Sequence, residues 1–230
     1  MNLLKKEWLQ LFILAVPFCA AALLWDKLPE KVPSHWNAAG QIDAYSGKTF
    51  GILLLPITNA AVALLMAVVP FIDPKLKQQS TEAQASSRQT IRTIRLALTS
   101  FFSCFSLLIL AVAFGWFRNG TAFAHYIYIG LGMLFIVLGN FMTKLKPNRF
   151  VGIRTPWTLA SPEVWAKTHR LGGPVMVASG FIMLVMLLVV PFEKYAFYVV
   201  LPIVLGMASI TSVYSYILYR KESPNTSAVR

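Results

Sequence analysis

Six apolar runs, each long enough to cross the hydrocarbon core of a bilayer, constrain this chain more than any motif does. They occupy residues 8–25, 50–72, 96–117, 126–145, 174–191 and 195–219. Within lipid a spanning segment satisfies its own backbone hydrogen bonds, and runs of this length do so as helices. The expected fold is therefore all-α, a bundle of six transmembrane helices. Composition agrees: 57% of the 230 residues are hydrophobic and 13% are charged, too apolar for one soluble core. A net charge of +12 in a soluble protein suggests nucleic acid. Beside this hydropathy it reads as a cytoplasmic loop bias, and no direct nucleic-acid partner is expected. Cys19 and Cys104 lie inside apolar runs, without the spacing of a zinc or redox site.

The first run has a rival reading. Lys5 and Lys6 before it and Ala20-Ala21-Ala22 near its end resemble a signal peptide and cleavage site. Phe18 ahead of Cys19 does not fit a lipidated cysteine, and the run is read as a retained span. The connection 26–49 is punctuated by Pro29, Pro33, Gly40 and Gly47, so turns and extended backbone are expected. Residues 73–95 are rich in Gln, Ser and Thr and read as a solvated, mobile link, with Arg92 and Arg95 at the foot of the third span. Residues 118–124 and 192–194 read as short turns, and 220–230 as a frayed polar tail. Pro17 and Pro202 fall inside the first and last spans, where each removes a backbone hydrogen bond. Ala63 with Ala67 and Ala111 with Gly115 have the spacing for close helix contact.

Lys and Arg are shared unevenly between alternate connections, sixteen on one side of the membrane and five on the other. The richer side faces the cytoplasm, which puts both termini and residues 148–173 inside and the His35 loop outside. Trp25, Trp116, Tyr126 and Tyr195 then form the outer aromatic belt.

No ionisable residue stands at the centre of a span, and Glu7 marks only the inner edge of the first. Proton-coupled transporters and pumps keep such groups at mid-membrane, and intramembrane proteases need Asp pairs, Ser with His, or HExxH there. Asn59, Asn140, Ser103, Ser179 and Ser209 remain, as interhelical hydrogen-bonding residues. No catalytic residue, cofactor or metal is expected, since Glu30, His35 and Asp43 are irregularly spaced for ligation.

Two loops carry the candidate sites. In the outer one, Pro33, His35, Trp36, Asn37, Gly40, Asp43, Tyr45 and Lys48 make a compact aromatic-rich surface able to dock a peptide or to fold back on the bundle. The inner one, NRFVGIRTPWTLASPEVWAKTHRLGG over 148–173, concentrates Arg149, Arg154, Lys167 and Arg170 against Glu163. Ser161-Pro162-Glu163 reads as a helix start. A short surface helix should follow, with Trp165 and His169 on one face and breaks at Pro156 and at Gly172-Gly173-Pro174. Arg149 and Arg154 beside Gly152 suit a lipid phosphate or an acidic protein surface, with Trp157 and Trp165 at the headgroups.

The run Asn148-Arg149-Phe150-Val151-Gly152-Ile153-Arg154-Thr155-Pro156-Trp157-Thr158-Leu159, followed by Ser161, Glu163-Val164-Trp165, Thr168-His169-Arg170 and Gly172-Gly173, closely resembles the signature of the SdpI family of bacterial immunity proteins. Leu28-Pro29 and Val32-Pro33 with His35-Trp36-Asn37, Gly40, Asp43 and Lys48 resemble the small membrane domain of unknown function that often precedes it. The resemblance implies a multi-pass bacterial cell-membrane protein that protects against a secreted toxic peptide. It also implies a receptor that holds a cytoplasmic repressor at the membrane.

On that reading the chain divides into a two-helix unit over 1–72 with outer loop 26–49, a link over 73–95, a four-helix SdpI-like unit over 96–219, and a tail over 220–230. Peptide contacts fall to His35, Trp36, Asn37, Asp43, Tyr45 and Lys48. Partner contacts fall to Asn148, Arg149, Gly152, Arg154, Thr155, Trp157, Glu163, Trp165, His169 and Arg170. A peptide shifts inner-loop exposure only through differential affinity for two bundle states, with Pro17 and Pro202 as the places for them to differ. The alternatives are a small-molecule or lipid transporter, with a mid-membrane cavity lined by Asn59, Asn140 and Ser179, and a lipid-headgroup enzyme.

Overall fold

A computed structural model describes residues 3–38, 41–117, 120–189 and 192–222. In chain order these form α1 (Leu3–Leu24), β1 (Lys31–Trp36), β2 (Ile42–Gly47), α2 (Lys48–Ile72), α3 (Pro74–Lys77), α4 (Thr81–Ala113), α5 (Gly120–Met142), α6 (Pro156–Ala160), α7 (Pro162–Val189) and α8 (Phe192–Glu222). Six of these helices, α1, α2, α4, α5, α7 and α8, are long and apolar enough to cross a membrane. Spans alternate in direction, so the β-hairpin gathers with the start of α2 at one end of the bundle. The end of α2, α3, the start of α4 and residues 143–161 gather at the other. Pro17 and Pro202 lie inside α1 and α8, as expected.

Burial is arranged for lipid. Leu23, Leu188 and Val189 are 82%, 87% and 72% exposed, which is favourable only where the surroundings are as apolar as the side chain. The buried apolar clusters sit at the two bundle ends. At the hairpin end Val32, fully buried, packs with Ala21, Leu28, Ile52 and Leu110. At the loop end Met66, Val69, Leu76, Ile91, Ile94, Met142, Leu145 and Trp165 form one core. Each cluster thus joins an extramembrane element to the helices beneath it.

The spans are fastened by two different means. Between α1, α2 and α4 the contacts are polar: Asn59 Nδ2 donates to the Thr99 carbonyl at 3.2 Å and to Ser103 Oγ at 3.1 Å. Ser103 Oγ in turn donates to the Ile13 carbonyl at 3.0 Å, and Gln10 Nε2 donates to Thr99 Oγ1. Asn59 and Ser103 therefore join helices as expected. Asn140 does not, because it is exposed and donates to the Ile136 carbonyl of its own helix.

Between α5 and α7 the contact is made by glycine. A Cβ on Gly139 would stand 2.7 Å from the Gly173 carbonyl, and one on Gly180 would stand 2.5 Å from the Gly132 carbonyl. Gly132 and Gly139 on α5, and Gly173 and Gly180 on α7, are two helical turns apart and so share a face. Removal of four side chains lets the two backbones approach at both levels.

The turns and extended backbone expected over 26–49 are present as an antiparallel hairpin, pairing Val32 with Ser46 and Pro33 with Tyr45 and irregular on either side of His35. Three other expectations need correction. Residues 73–95 are an ordered helical stretch rather than a mobile link: Asp73 caps α3, and α4 begins at Thr81 with Ser87 and Thr90 buried. The surface helix expected after Ser161 is the first part of α7, which runs unbroken through Gly172, Gly173 and Pro174. Those residues read as breakers in water, but in a bundle the glycines take up close contacts: a Cβ on Gly172 would stand 2.3 Å from Ile153 Cδ1. Finally, Phe192-Glu193-Lys194 already belongs to α8, so no turn lies there. The frayed tail beyond Glu222 falls outside the described residues.

Candidate functional site

The loop from Lys144 to Ser161 has little regular structure, and side chains supply what a helix or sheet would otherwise supply. Asn148, 1% exposed, is its centre. Its Oδ1 accepts from the Phe150 and Val151 amides at 2.9 and 2.7 Å, while Nδ2 donates to the Lys146 and Val151 carbonyls at 3.0 and 2.8 Å. Asp73, fully buried, ties the loop to the end of α2, accepting from the Arg149 amide at 2.6 Å and the Lys75 amide at 2.8 Å. Lys75 reaches back to the Leu159 carbonyl at 2.6 Å, and Gln79 to the Pro147 carbonyl at 3.3 Å.

Gly152 has φ +123°, a left-handed backbone that other residues rarely adopt. A Cβ there would also lie 2.5 Å from His169 Nε2. That nitrogen accepts from the Ile153 amide at 3.0 Å, so the ring proton is on Nδ1, which donates to the Trp165 carbonyl at 2.8 Å. The His169 and Trp165 rings stack with centroids 4.0 Å apart, and Trp165 Nε1 donates to the Leu145 carbonyl at 2.9 Å. The two residues do share a face of α7, but it is turned inward, and each is 1% exposed. The expectation that they are offered to a partner is corrected: they hold the loop on the bundle.

Thr155 caps α6 in a reciprocal box with Thr158, whose hydroxyl donates to the Ile153 carbonyl at 2.8 Å. Thr155 Oγ1 meets Ser215 of α8 at 3.0 Å, Ser161 donates to Glu222 at 2.7 Å, and the Trp157 ring sits 5.1 Å from that of Tyr216. Most of the loop's connections to α2, α7 and α8 are thus buried or part-buried, the Ser161–Glu222 bond being exposed. Arg149, Arg154 and Arg170 are left exposed with Glu163, which pairs with Lys167 one turn on. The hydrogen-bonded loop and the start of α7 thus leave these cations open to solvent.

At the opposite end, His35 Nδ1 and Asp43 Oδ1 lie 2.6 Å apart across the hairpin, both substantially exposed. Glu30 is not with them but pairs with Lys48 at 3.2 Å. Lys48, largely buried, also stands over the Trp25 ring at 5.2 Å. Asn37 closes the turn, its Oδ1 accepting from the Gln41 amide at 3.0 Å. Trp36 stacks on Phe123 of α5 with centroids 4.4 Å apart, so this ring docks the hairpin on the bundle. Tyr45 is 60% exposed. Of the outer candidates, then, Tyr45, His35 and Asp43 face outward, while Trp36 and Lys48 serve the hairpin itself.

Sequence reasoning missed Asp73, whose signal was its place just before Pro74, where a carboxylate caps a helix. It also missed the pairing of Glu7 with Arg92 and Arg95, which are distant in sequence and bring α1 to α4. Asn59, Asn140 and Ser179 line neither of two cavities, one of about 360 Å³ and one of about 600 Å³.

These features define a multi-pass membrane protein with an ordered hairpin at one end and exposed cations at the other. Comparison with known proteins gives the particular likeness. The SdpI/YfhL protein family model matches residues 144–215, and a domain of unknown function, DUF1648, matches residues 12–59. The chain is 26% identical over 218 residues to Immunity protein SdpI of Bacillus subtilis (strain 168), covering 95% of this chain and 98% of that protein. Both expected resemblances are found where the motifs put them. No solved structure matches this chain.

Proposed function

We propose that this chain is an immunity protein of the bacterial cell membrane that protects against a secreted toxic peptide. The observation that carries the reading is the likeness to Immunity protein SdpI along nearly the whole of both chains. It is supported by a hairpin that keeps polar and aromatic groups in the open, Tyr45 beside the His35–Asp43 pair. The charge count puts the hairpin outside and both termini inside. A peptide arriving from outside then meets Tyr45, His35 and Asp43 before it reaches lipid. Trp36, Asn37 and Lys48 keep that surface in shape.

The inner platform of Arg149, Arg154 and Arg170 suits an acidic cytoplasmic protein, a repressor held at the membrane being the partner that the resemblance implies. Asn148, Gly152, Thr155, Trp165 and His169 act by fixing the backbone that carries these cations, and Trp157 and Glu163 lie at its edge. This is a binding protein rather than an enzyme, with the membrane itself as its other partner.

Expression in a peptide-sensitive bacterium tests the reading. Survival under the secreted toxin should rise with the chain present. Tyr45→Ala should lower peptide affinity by about thirtyfold, the effect of losing one aromatic anchor of roughly 2 kcal/mol. Arg154→Ala should keep protection and weaken partner capture. Equal survival with and without the chain, at verified membrane abundance, contradicts the proposal.

A further inference from the structure

Where α1, α2 and α4 meet at the loop end lies a cavity of about 360 Å³ that borrows no residue from the hairpin or the signature loop. Its walls are of two kinds. Met66, Pro70, Phe71 and Ile91 make one side apolar, and Arg88, Arg92, Arg95 and Glu7 make the other charged. Glu7 Oε1 stands 3.4 Å from Arg92 Nε, and its other oxygen pairs with Arg95. One carboxylate thus holds two guanidiniums in place, and against three arginines it leaves an excess of two positive charges.

Arg95 is the deepest of the three, with its side chain only 8% exposed. Its Nε is buried and has no hydrogen-bond partner among the described residues. A buried cationic donor left unpaired is expensive, and buried polar groups are otherwise almost always satisfied. The cavity wall beside it carries excess positive charge, so its chemical complement is an anion. Arg88 stands at the rim, its guanidinium 5.1 Å from the centroid of the Phe71 ring. Phe71 is itself 58% exposed, so the cavity opens toward the lipid-facing surface.

We propose that this cavity binds a phosphate ester, held by Arg88, Arg92 and Arg95, with the headgroup of an anionic phospholipid as its source. Guanidiniums offer planar, paired donors that match phosphate oxygens, and basic pockets between helices at the end of a span lie at headgroup depth. The apolar wall of Met66, Pro70 and Phe71 fits the glycerol and first acyl carbons that follow a lipid phosphate and that a free phosphate lacks. Glu7 acts as a positioning residue, orienting Arg92 and Arg95 while leaving the site net cationic.

The test uses the full chain purified in neutral detergent, with thermal midpoint followed during titration with short-chain phosphatidylglycerol, short-chain phosphatidylcholine or glycerol phosphate. Phosphatidylglycerol should raise the midpoint and phosphatidylcholine should do so much less. The double variant R88Q/R92Q keeps the Arg95–Glu7 pair and so its fold, and should bind phosphatidylglycerol about tenfold more weakly or worse. Stabilisation by phosphatidylglycerol but not by glycerol phosphate assigns the lipid, and equal stabilisation by both assigns the phosphate alone. Equal response to both lipids, or undiminished binding in the folded double variant, overturns the site.

Discussion

Gly152 shows how one backbone angle shapes the signature loop. Its positive φ and the 2.5 Å approach of His169 Nε2 to a would-be Cβ leave no room for a side chain. Gly152→Ala should lower unfolding free energy by about 2 kcal/mol or more, seen as a lower thermal midpoint in detergent. Gly47→Ala, where nothing lies within 4 Å, is the control and should be close to neutral. Asp73→Ala strands the Arg149 and Lys75 amides and should cost about 1–3 kcal/mol by the same measurement. The signature marked where these residues would matter but not how. Trp165 and His169 lie in a basic segment and read as surface groups, whereas their partners are the Leu145 carbonyl and the Ile153 amide. Spacing cannot reveal such contacts, because they join two separately folded stretches of backbone. Only the exposure of Arg149, Arg154 and Tyr45 was legible, since an exposed polar residue needs no partner to be placed.

Among the elements, the α5–α7 pair is the one most sensitive to size. Gly139→Leu would drive a branched side chain into the Gly173 carbonyl and Val177, and the helices would have to separate. Loss of folded protein from the membrane fraction is expected. Leucine at Met133, 52% exposed to lipid on the same helix, should be tolerated. The spans themselves were legible because hydropathy alone selects them. Their ends were not. Gly172-Gly173-Pro174 is a break by local propensity, yet within the bundle the glycines take up close packing and α7 continues through them. The Gln- and Ser-rich stretch before the third span is polar enough for solvent, but Gln79 and Ser87 bond to each other at 3.0 Å and make it the ordered first part of α4.

At the scale of the whole molecule, the hairpin and the cationic platform stand at opposite ends of six helices, and the proposed division of labour depends on which end faces out. The cytoplasmic side proposed for the platform rests on the Lys and Arg count alone, sixteen against five. A membrane-impermeant maleimide applied to intact cells reads the orientation directly. In a background with Cys19 and Cys104 replaced by serine, cysteine is placed singly at Gln41 beside the hairpin and at Ala160 in the signature loop, both exposed. Labelling of Gln41→Cys from outside, with Ala160→Cys labelled only after the cells are opened, is the expected result. The reverse pattern would turn the hairpin toward the cytoplasm and contradict the proposal that it meets a secreted peptide.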